Sequence, residues 1–193
     1  KVLRRKGKKP GTQENRGRFN GKRTIKDRPQ EVETRVIFGH WELDTMVSSR
    51  GQSKGCLATF VERKTRFYVA IKMDDRTKDS MFLAISSLYN TLTSKLLKTF
   101  TVDRGKEFAC FEQVETEFGI AMYFADAYAA WQRGSNENSN GLLREFFPKK
   151  TDLAKVTLDK LTEALVLINN RPRKCLGFKT PFDMFKHEIR KLI

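Results

Sequence analysis

The segment that most restricts the fold is Leu97–Val102, a short, nearly continuous apolar run that ends on Asp103. It follows Lys78–Leu92, where Met81, Ile85, Leu88 and Leu92 recur at helical spacing. A buried strand reached through a helix pairs parallel to an earlier strand, because only a crossover returns the chain in the same direction. Three earlier strands are available. Trp41, Leu43, Thr45 and Val47 alternate with Glu42, Asp44 and Met46, and Leu57–Glu62 and Phe67–Met73 follow around the short corner Arg63-Lys64-Thr65-Arg66. Strands joined so closely form an antiparallel meander. Phe108–Phe118 is predicted as a helix and Ile120–Phe124 as a fifth strand. Asn138–Phe147 and Leu158–Ile168 are two further helices, stopped by Pro148 and by Asn169-Asn170-Arg171-Pro172. The order predicts an α/β fold, a mixed five-stranded sheet flanked by helices.

Charge bears on the partner. The net charge is +15 and unevenly spread: residues 1–35 hold 13 Lys/Arg against 4 Asp/Glu, residues 36–143 hold 13 of each, and residues 144–193 hold 12 against 6. An excess concentrated at two flanks points to a polyanionic partner more than to a solvated surface. No basic helix with a large apolar face and no run of roughly 18 apolar residues points to a membrane. Residues 1–35, with Gly7, Gly11, Gly17, Gly21, Pro10 and Pro29 among the charges, are predicted to be a basic arm or linker. The folded domain is then 36–193, with a C-terminal helical extension. Cys56, Cys110 and Cys175 lie far apart, without zinc spacing or a disulfide framework, which fits a reducing cytoplasm. The first residue is Lys1, and the chain is expected to be a piece of a longer protein.

Three carboxylates stand in unusual places. Asp44 lies inside a strand, where Asp is disfavoured. Asp103 leaves the C-terminal end of a buried strand, the end at which open α/β sheets place ligands. Glu137 sits in Gly134-Ser135-Asn136-Glu137-Asn138 at the mouth of a helix. If the first and fourth strands are neighbours and this helix packs beside them, the three converge. Carboxylates repel, and a hard divalent cation such as Mg²⁺ is one reason for them to share a site, in phosphodiester chemistry above all. Each also has a plain alternative: Asp103 opening a turn, Glu137 complementing a helix N-terminus, Asp44 pairing with an Arg. At 100° per residue, Asn140, Gly141 and Arg144 each fall within about 60° of Glu137. Arg144 either holds a DNA phosphate or is an ordinary surface Arg.

Several of these motifs resemble one family. They are His40-Trp41-Glu42-Leu43-Asp44, Thr101-Val102-Asp103-Arg104-Gly105-Lys106-Glu107-Phe108, the run from Tyr123 to Asn138 with Trp131-Gln132-Arg133-Gly134-Ser135-Asn136-Glu137, Asn169-Asn170-Arg171-Pro172-Arg173-Lys174, and Thr180-Pro181-Phe182. Together they resemble the transposases of the insertion sequence 30 family over roughly residues 36–185. The 33 residues between Asp103 and Glu137 match the family's spacing. The resemblance implies a ribonuclease-H-like integrase catalytic domain with Asp44, Asp103 and Glu137 as its acidic triad. It implies Mg²⁺ or Mn²⁺, two ions, and a transposase that cleaves strands at transposon ends and transfers them to target DNA. The helix-turn-helix region with which the family recognises inverted repeats is not visible here.

Trp131 and Arg133 are candidates for DNA contact, with a buried loop anchor as the other reading of the Trp. Arg171, Arg173 and Lys174 are candidate backbone contacts. Asp126 is read as a turn residue, His40 as structural, and Glu42 as sharing Asp44's face without being a ligand. The expected partners are DNA and, on it, further copies of the chain. The expected location is a bacterial cytoplasm, at the nucleoid. The alternative is a non-catalytic DNA-binding remnant of a truncated transposase.

Overall fold

The computed structural model describes residues 23–49, 51, 53–126 and 129–192. Its strands are β1 His40–Val47, β2 Cys56–Glu62, β3 Tyr68–Met73, β4 Thr99–Val102 and β5 Ala121–Phe124. They form one sheet in the order β3-β2-β1-β4-β5. β1 and β2 pair antiparallel from Trp41 opposite Glu62 to Val47 opposite Cys56, and β2 pairs antiparallel with β3. β4 lies parallel to β1, with His40 opposite Thr99 and Glu42 opposite Thr101, and β5 lies parallel to β4. The meander, the crossover and the mixed sheet all follow the sequence pattern. The α-helices among the described residues are α1 Gln30–Thr34, α2 Lys78–Thr91, α3 Phe111–Phe118, α4 Gly134–Phe146, α5 Leu158–Asn169 and α6 Pro181–Arg190. None is long and apolar enough to cross a membrane.

Alternation along the strands gives the sheet two apolar faces. Trp41, Leu43, Ala58 and Phe60 pack with Met81, Ile85 and Leu88 of α2, Val114 of α3 and Phe185 of α6. Met46, Leu57, Val61 and Tyr68 pack on the other side with Leu143 of α4 and Leu161, Ala164 and Ile168 of α5. β2 is covered on both faces, so every one of its residues is buried. Glu42 and Asp44 share the period-two face of Met46, and that is the face α4 covers.

The structure departs from the sequence reading in three places. The folded body begins before residue 36: Thr24 bridges to Phe124 beyond the sheet edge, and the Phe124 amide donates to the Arg23 carbonyl at 3.1 Å. Val32 and Arg28 are buried. Arg28 Nη1 donates to Thr101 Oγ1 at 3.0 Å, and Arg63 Nε donates to the Val32 carbonyl at 3.1 Å. One buried Val and two buried guanidinium groups anchor a segment too polar to be recognised by its hydrophobicity. The rest of the predicted arm, residues 1–22, lies outside the described residues, as do Ala127 and Tyr128 of the family motif. The second departure is that α4 starts at Gly134, not Asn138, because polar contacts of its first turn hold it to the sheet. The third is α6, which was not predicted. Thr180 caps it by accepting from the Asp183 amide at 3.0 Å, Pro181 opens it, and Phe185 stacks on Phe67 with ring centroids 4.1 Å apart.

His40 is structural, as expected. Its Nδ1 lies 2.8 Å from Thr99 Oγ1, and its Nε2 lies 3.5 Å from the Glu31 carboxylate. Burial lowers its pKa to about 4, against the pull of Glu31. An unfolded chain titrates this group near 6.5. Between those values the unfolded state binds more protons, so stability declines as pH falls from about 6.5 towards about 4. His40→Asn is expected to flatten that part of the urea-midpoint-against-pH curve. Equal slopes in variant and wild type would place the titration on another group.

Candidate active site

Glu42 stands opposite Thr101 in the parallel pair. Continuing that register past the end of β4 brings Asp103 level with Asp44. Asp103 does open a turn: its Oδ1 accepts from the Gly105 amide at 2.8 Å. The turn folds over a second, buried carboxylate. Glu107 Oε1 accepts from Arg76 Nε at 2.6 Å and from Thr45 Oγ1 at 2.9 Å. A Cβ on residue 105 would lie 2.5 Å from the Glu107 Oε2 atom, so a side chain there would push the Glu107 carboxylate from its place against Arg76 and Thr45.

Asp44 also has its Arg. Arg133 Nη1 lies 3.3 Å from Asp44 Oδ1 and donates to the Leu43 carbonyl at 3.1 Å, while its Nη2 donates to Asp103 Oδ2 at 3.1 Å. One guanidinium thus spans the two acids. Asn140 Nδ2 donates to Asp44 Oδ2 at 3.0 Å, and Asn140 Oδ1 accepts from the Tyr68 hydroxyl at 2.6 Å. Burial pushes the Asp44 carboxyl above the usual carboxylate range; Arg133 pulls it back, and the Asp103 charge pushes it up again. The pair is a desolvated, mutually repelling set of oxygen donors tied to an internal cation.

The helix that supplies Asn140, and that Arg133 immediately precedes, is docked by polar contacts. Asn136 is fully buried. Its amide N–H donates to Glu42 Oε2 at 2.9 Å, its Nδ2 to the Glu42 carbonyl at 3.0 Å and to the Thr59 carbonyl at 3.3 Å, and its Oδ1 accepts from Thr59 Oγ1 at 3.2 Å. Arg66 Nη1 donates to Ser135 Oγ at 2.6 Å. Glu42 is completed by an ion pair with buried Arg63. Glu137, next in line, is exposed. Among the described residues no three His, Cys, Asp or Glu side chains are close enough to hold one ion. The structure therefore groups Asp44 with Asp103 through Arg133, and Glu137 stands outside that group.

Residues 37–130 match the integrase core domain family, a stretch that includes Asp44 and Asp103. Over 165 residues the chain is 39% identical to the transposase InsI for insertion sequence element IS30A of Escherichia coli strain K12, covering 86% of this chain and 42% of that protein. The chain belongs to the insertion sequence 30 family of transposases. It spans about half the length of the curated relatives it matches. The catalytic core domain of BIV integrase superposes with a TM-score of 0.62 at 20% identity, over 81% of this chain and 100% of that one. The catalytic core domain of HTLV-2 integrase, solved in complex with magnesium, superposes with a TM-score of 0.59 at 18% identity, over 77% and 97%. The fold of this family member is thus the ribonuclease-H-like fold of integrase cores.

The remaining candidate residues are placed as follows. Trp131 is 75% exposed, which removes the buried-anchor reading. Gln132 is the anchor instead: its Oε1 accepts from the Asp126 amide at 2.8 Å and its Nε2 donates to Asp126 Oδ2 at 3.0 Å, so Asp126 is a loop residue. Arg144 is half-buried and donates to the carbonyls of Val47 at 2.9 Å and of Phe147 and Pro148 at 3.4 Å, closing the end of α4 onto β1. Arg171 pairs with Glu145 of α4 at 3.2 Å, Arg173 Nη2 donates to the Ile168 carbonyl at 3.2 Å, and Lys174 is exposed.

Residues that sequence reasoning left without a role are Glu107, Asn136 and Asn140. Only Asn140 carried a usable signal, its place on the helical face of Glu137. For Asn136, removing the side chain would take the Nδ2 donor away from two buried carbonyls, while the Thr59 hydroxyl keeps its hydrogen bond to the Asp44 carbonyl at 3.1 Å. Asn136→Ala is expected to cost about 2–3 kcal/mol in urea unfolding. A loss below about 0.5 kcal/mol, within the range of an ordinary surface change, would mean that α4 docks by its apolar residues alone.

Proposed function

We propose that this chain is the catalytic core of a transposase that cuts DNA at transposon ends and joins them to target DNA, with Asp44, Asp103 and Glu137 holding its metal. The observation that carries this reading is the pairing of Asp44, inside β1, with Asp103, just past the end of the adjacent parallel β4, bound to one shared cation. Their chemistry fits a hard divalent ion: carboxylate oxygens only, partly desolvated, with Asp44 pushed towards protonation by burial. Glu137 lies one turn before Asn140, on the helical face that already reaches Asp44. When bound, Mg²⁺ or Mn²⁺, as two ions in this reading, supplies the Lewis acidity that phosphodiester exchange requires.

The rest falls to the chain. Asp44 and Asp103 would hold the ion where β4 ends beside β1, in the interior of the sheet, and the buried Asn136–Glu42 clamp keeps α4 against them. Water displaces the 3′-oxygen at the element's end, leaving a 3′-hydroxyl. That hydroxyl then attacks a target phosphodiester, so that one P–O bond forms as another breaks and no protein–DNA bond intervenes. Arg133 would offer its donor fork to phosphate once an ion takes its place on the acids, and exposed Trp131, two residues before it, is suited to a base. Arg171 and Lys174 are the exposed members of a basic surface past α5, while Arg144 and Arg173, half-buried, already donate to backbone carbonyls. Copies of the chain assemble on DNA in the bacterial cytoplasm, at the nucleoid.

Asp103→Asn keeps the shape and loses the charge. It is expected to abolish Mg²⁺-dependent nicking of an end duplex while DNA affinity stays within a few-fold. Nicking at the wild-type rate would sink the assignment, and wild-type protein that binds DNA but neither nicks nor transfers strands with either ion would favour the non-catalytic remnant.

Arg133 and the metal compete for the same two carboxylates. Arg133→Gln is therefore expected to tighten Mn²⁺ binding to the DNA-free protein, read by electron paramagnetic resonance of the free ion. Unchanged or weaker binding would show that the guanidinium does not occupy the metal's place.

A further inference from the structure

Beyond α5 the chain closes a small loop on itself. The Arg173 amide donates to the Lys179 carbonyl at 3.0 Å, the Phe178 amide to the Arg173 carbonyl at 2.9 Å, and the Leu176 and Gly177 amides to the Arg173 and Lys174 carbonyls at 3.0 and 3.1 Å. Arg173 ties the loop to the end of α5, and Arg171 ties its start to Glu145 of α4. At the tip the backbone is left-handed at two successive residues, Gly177 with φ 60° and Phe178 with φ 64°. Glycine adopts this conformation freely; a bulky aromatic residue pays for it. Phe178 gains no burial in return, since 71% of its surface is exposed. A strained backbone that presents an apolar ring to water serves something other than the fold.

The surroundings say what that is. Lys174 and Lys179 are exposed in the same loop, and Arg171 and Arg173 precede them. A single exposed ring among cations is the arrangement that binds an unstacked base by its face and the flanking phosphates by charge. Glu145, which Arg171 holds, is eight residues beyond Glu137 on α4, about 12 Å along the helix axis at 1.5 Å per residue. A strand entering the acidic site thus passes within reach of the loop.

We propose that the loop 173–179 is a base-stacking site in which Phe178 takes an unpaired base near a DNA end, with Lys174 and Lys179 on its phosphates. This rests on the reading of the chain as a DNA-processing enzyme and adds a preference for frayed or single-stranded ends over uniform duplex. A second copy of the chain is the other possible occupant of an exposed ring, and the charge around Phe178 argues against it, because two such loops would repel.

The test uses the full chain and two duplexes with the same single-stranded overhang, one carrying bases and the other abasic residues with the phosphates kept. Wild-type protein is expected to bind the base-bearing overhang about tenfold more tightly by fluorescence anisotropy at fixed salt, the scale of stacking one base. Phe178→Gly should bind both overhangs alike, and its melting temperature should be no lower than wild type's, since glycine suits the left-handed backbone. Phe178→Trp should restore the preference. Lys174→Ala with Lys179→Ala should weaken both overhangs equally and reduce the salt slope by about 1–2. The proposal is overturned if wild-type protein does not distinguish the overhangs, or if Phe178→Gly keeps the preference. It is also overturned if that variant melts lower than wild type, which would make the ring structural, or if it breaks up an oligomer in the absence of DNA, which would make the loop an interface between copies. Nicking by wild-type protein is read separately: base preference without nicking would leave the stacking site standing and remove the transposase reading.

Discussion

The parallel pairing of β4 with β1 is the constraint on which the site depends. Two parallel neighbours end on the same side of the sheet, and the register that sets Glu42 opposite Thr101 carries Asp103 to the level of Asp44. Neighbouring strands lie about 4.8 Å apart, so two carboxylates placed there cannot avoid each other. Their repulsion is a structural cost that an apolar pair would not incur, and the fold meets it with Arg133, held from the junction before α4. The crossover that makes the pairing parallel is therefore also what makes a cation necessary.

The second requirement is that α4 stay in register with the sheet to within the length of a hydrogen bond. Apolar packing is non-directional and permits sliding. Leu143 supplies such packing near the end of the helix, but the first turns carry Ser135, Asn136 and Ser139, all buried and all polar. Asn136 spans β1 and β2 at once through Glu42 and Thr59. Glu42 in turn reaches Arg63, whose Nε holds the carbonyl of Val32. The polar contacts run without a break from the segment before the sheet, through its central strands, to the helix that lines the acids. A satisfied buried network of this kind fixes geometry more strictly than it adds stability.

What could be read from the sequence follows from how its signals arise. Strand alternation, helical spacing and the run ending at Asp103 report burial, and burial is what the sheet and α2 express; their order and direction were legible for that reason. The segment 23–35 looks like part of an arm in sequence because it is anchored by Val32, by its own Arg28 and by Arg63 of the corner after β2, and a buried Arg is indistinguishable in sequence from a solvated one. The early start of α4 was missed because Gly, Ser and Asn look like a loop until their polar groups meet Glu42, Thr59 and Arg66. Asp44 and Asp103 were legible as misplaced acids, and their pairing with one Arg was among the readings open for Asp44. Trp131 was undecided from sequence, since exposure of a single aromatic is a property of the tertiary fold.

These contrasts separate two kinds of unusual residue. Asn136, Glu107 and Arg63 are polar and buried, and each is satisfied by named partners, so the fold accounts for them. Trp131 and Phe178 are apolar and exposed, and Phe178 is strained as well. Nothing in the fold's own balance retains them. The first set surrounds the acids and sets their position. The second set lies elsewhere in the chain, Trp131 just before α4 and Phe178 in the loop beyond α5, each with its ring mostly exposed. Burial is thus what ties the first set to the fold, and its absence is what marks the second.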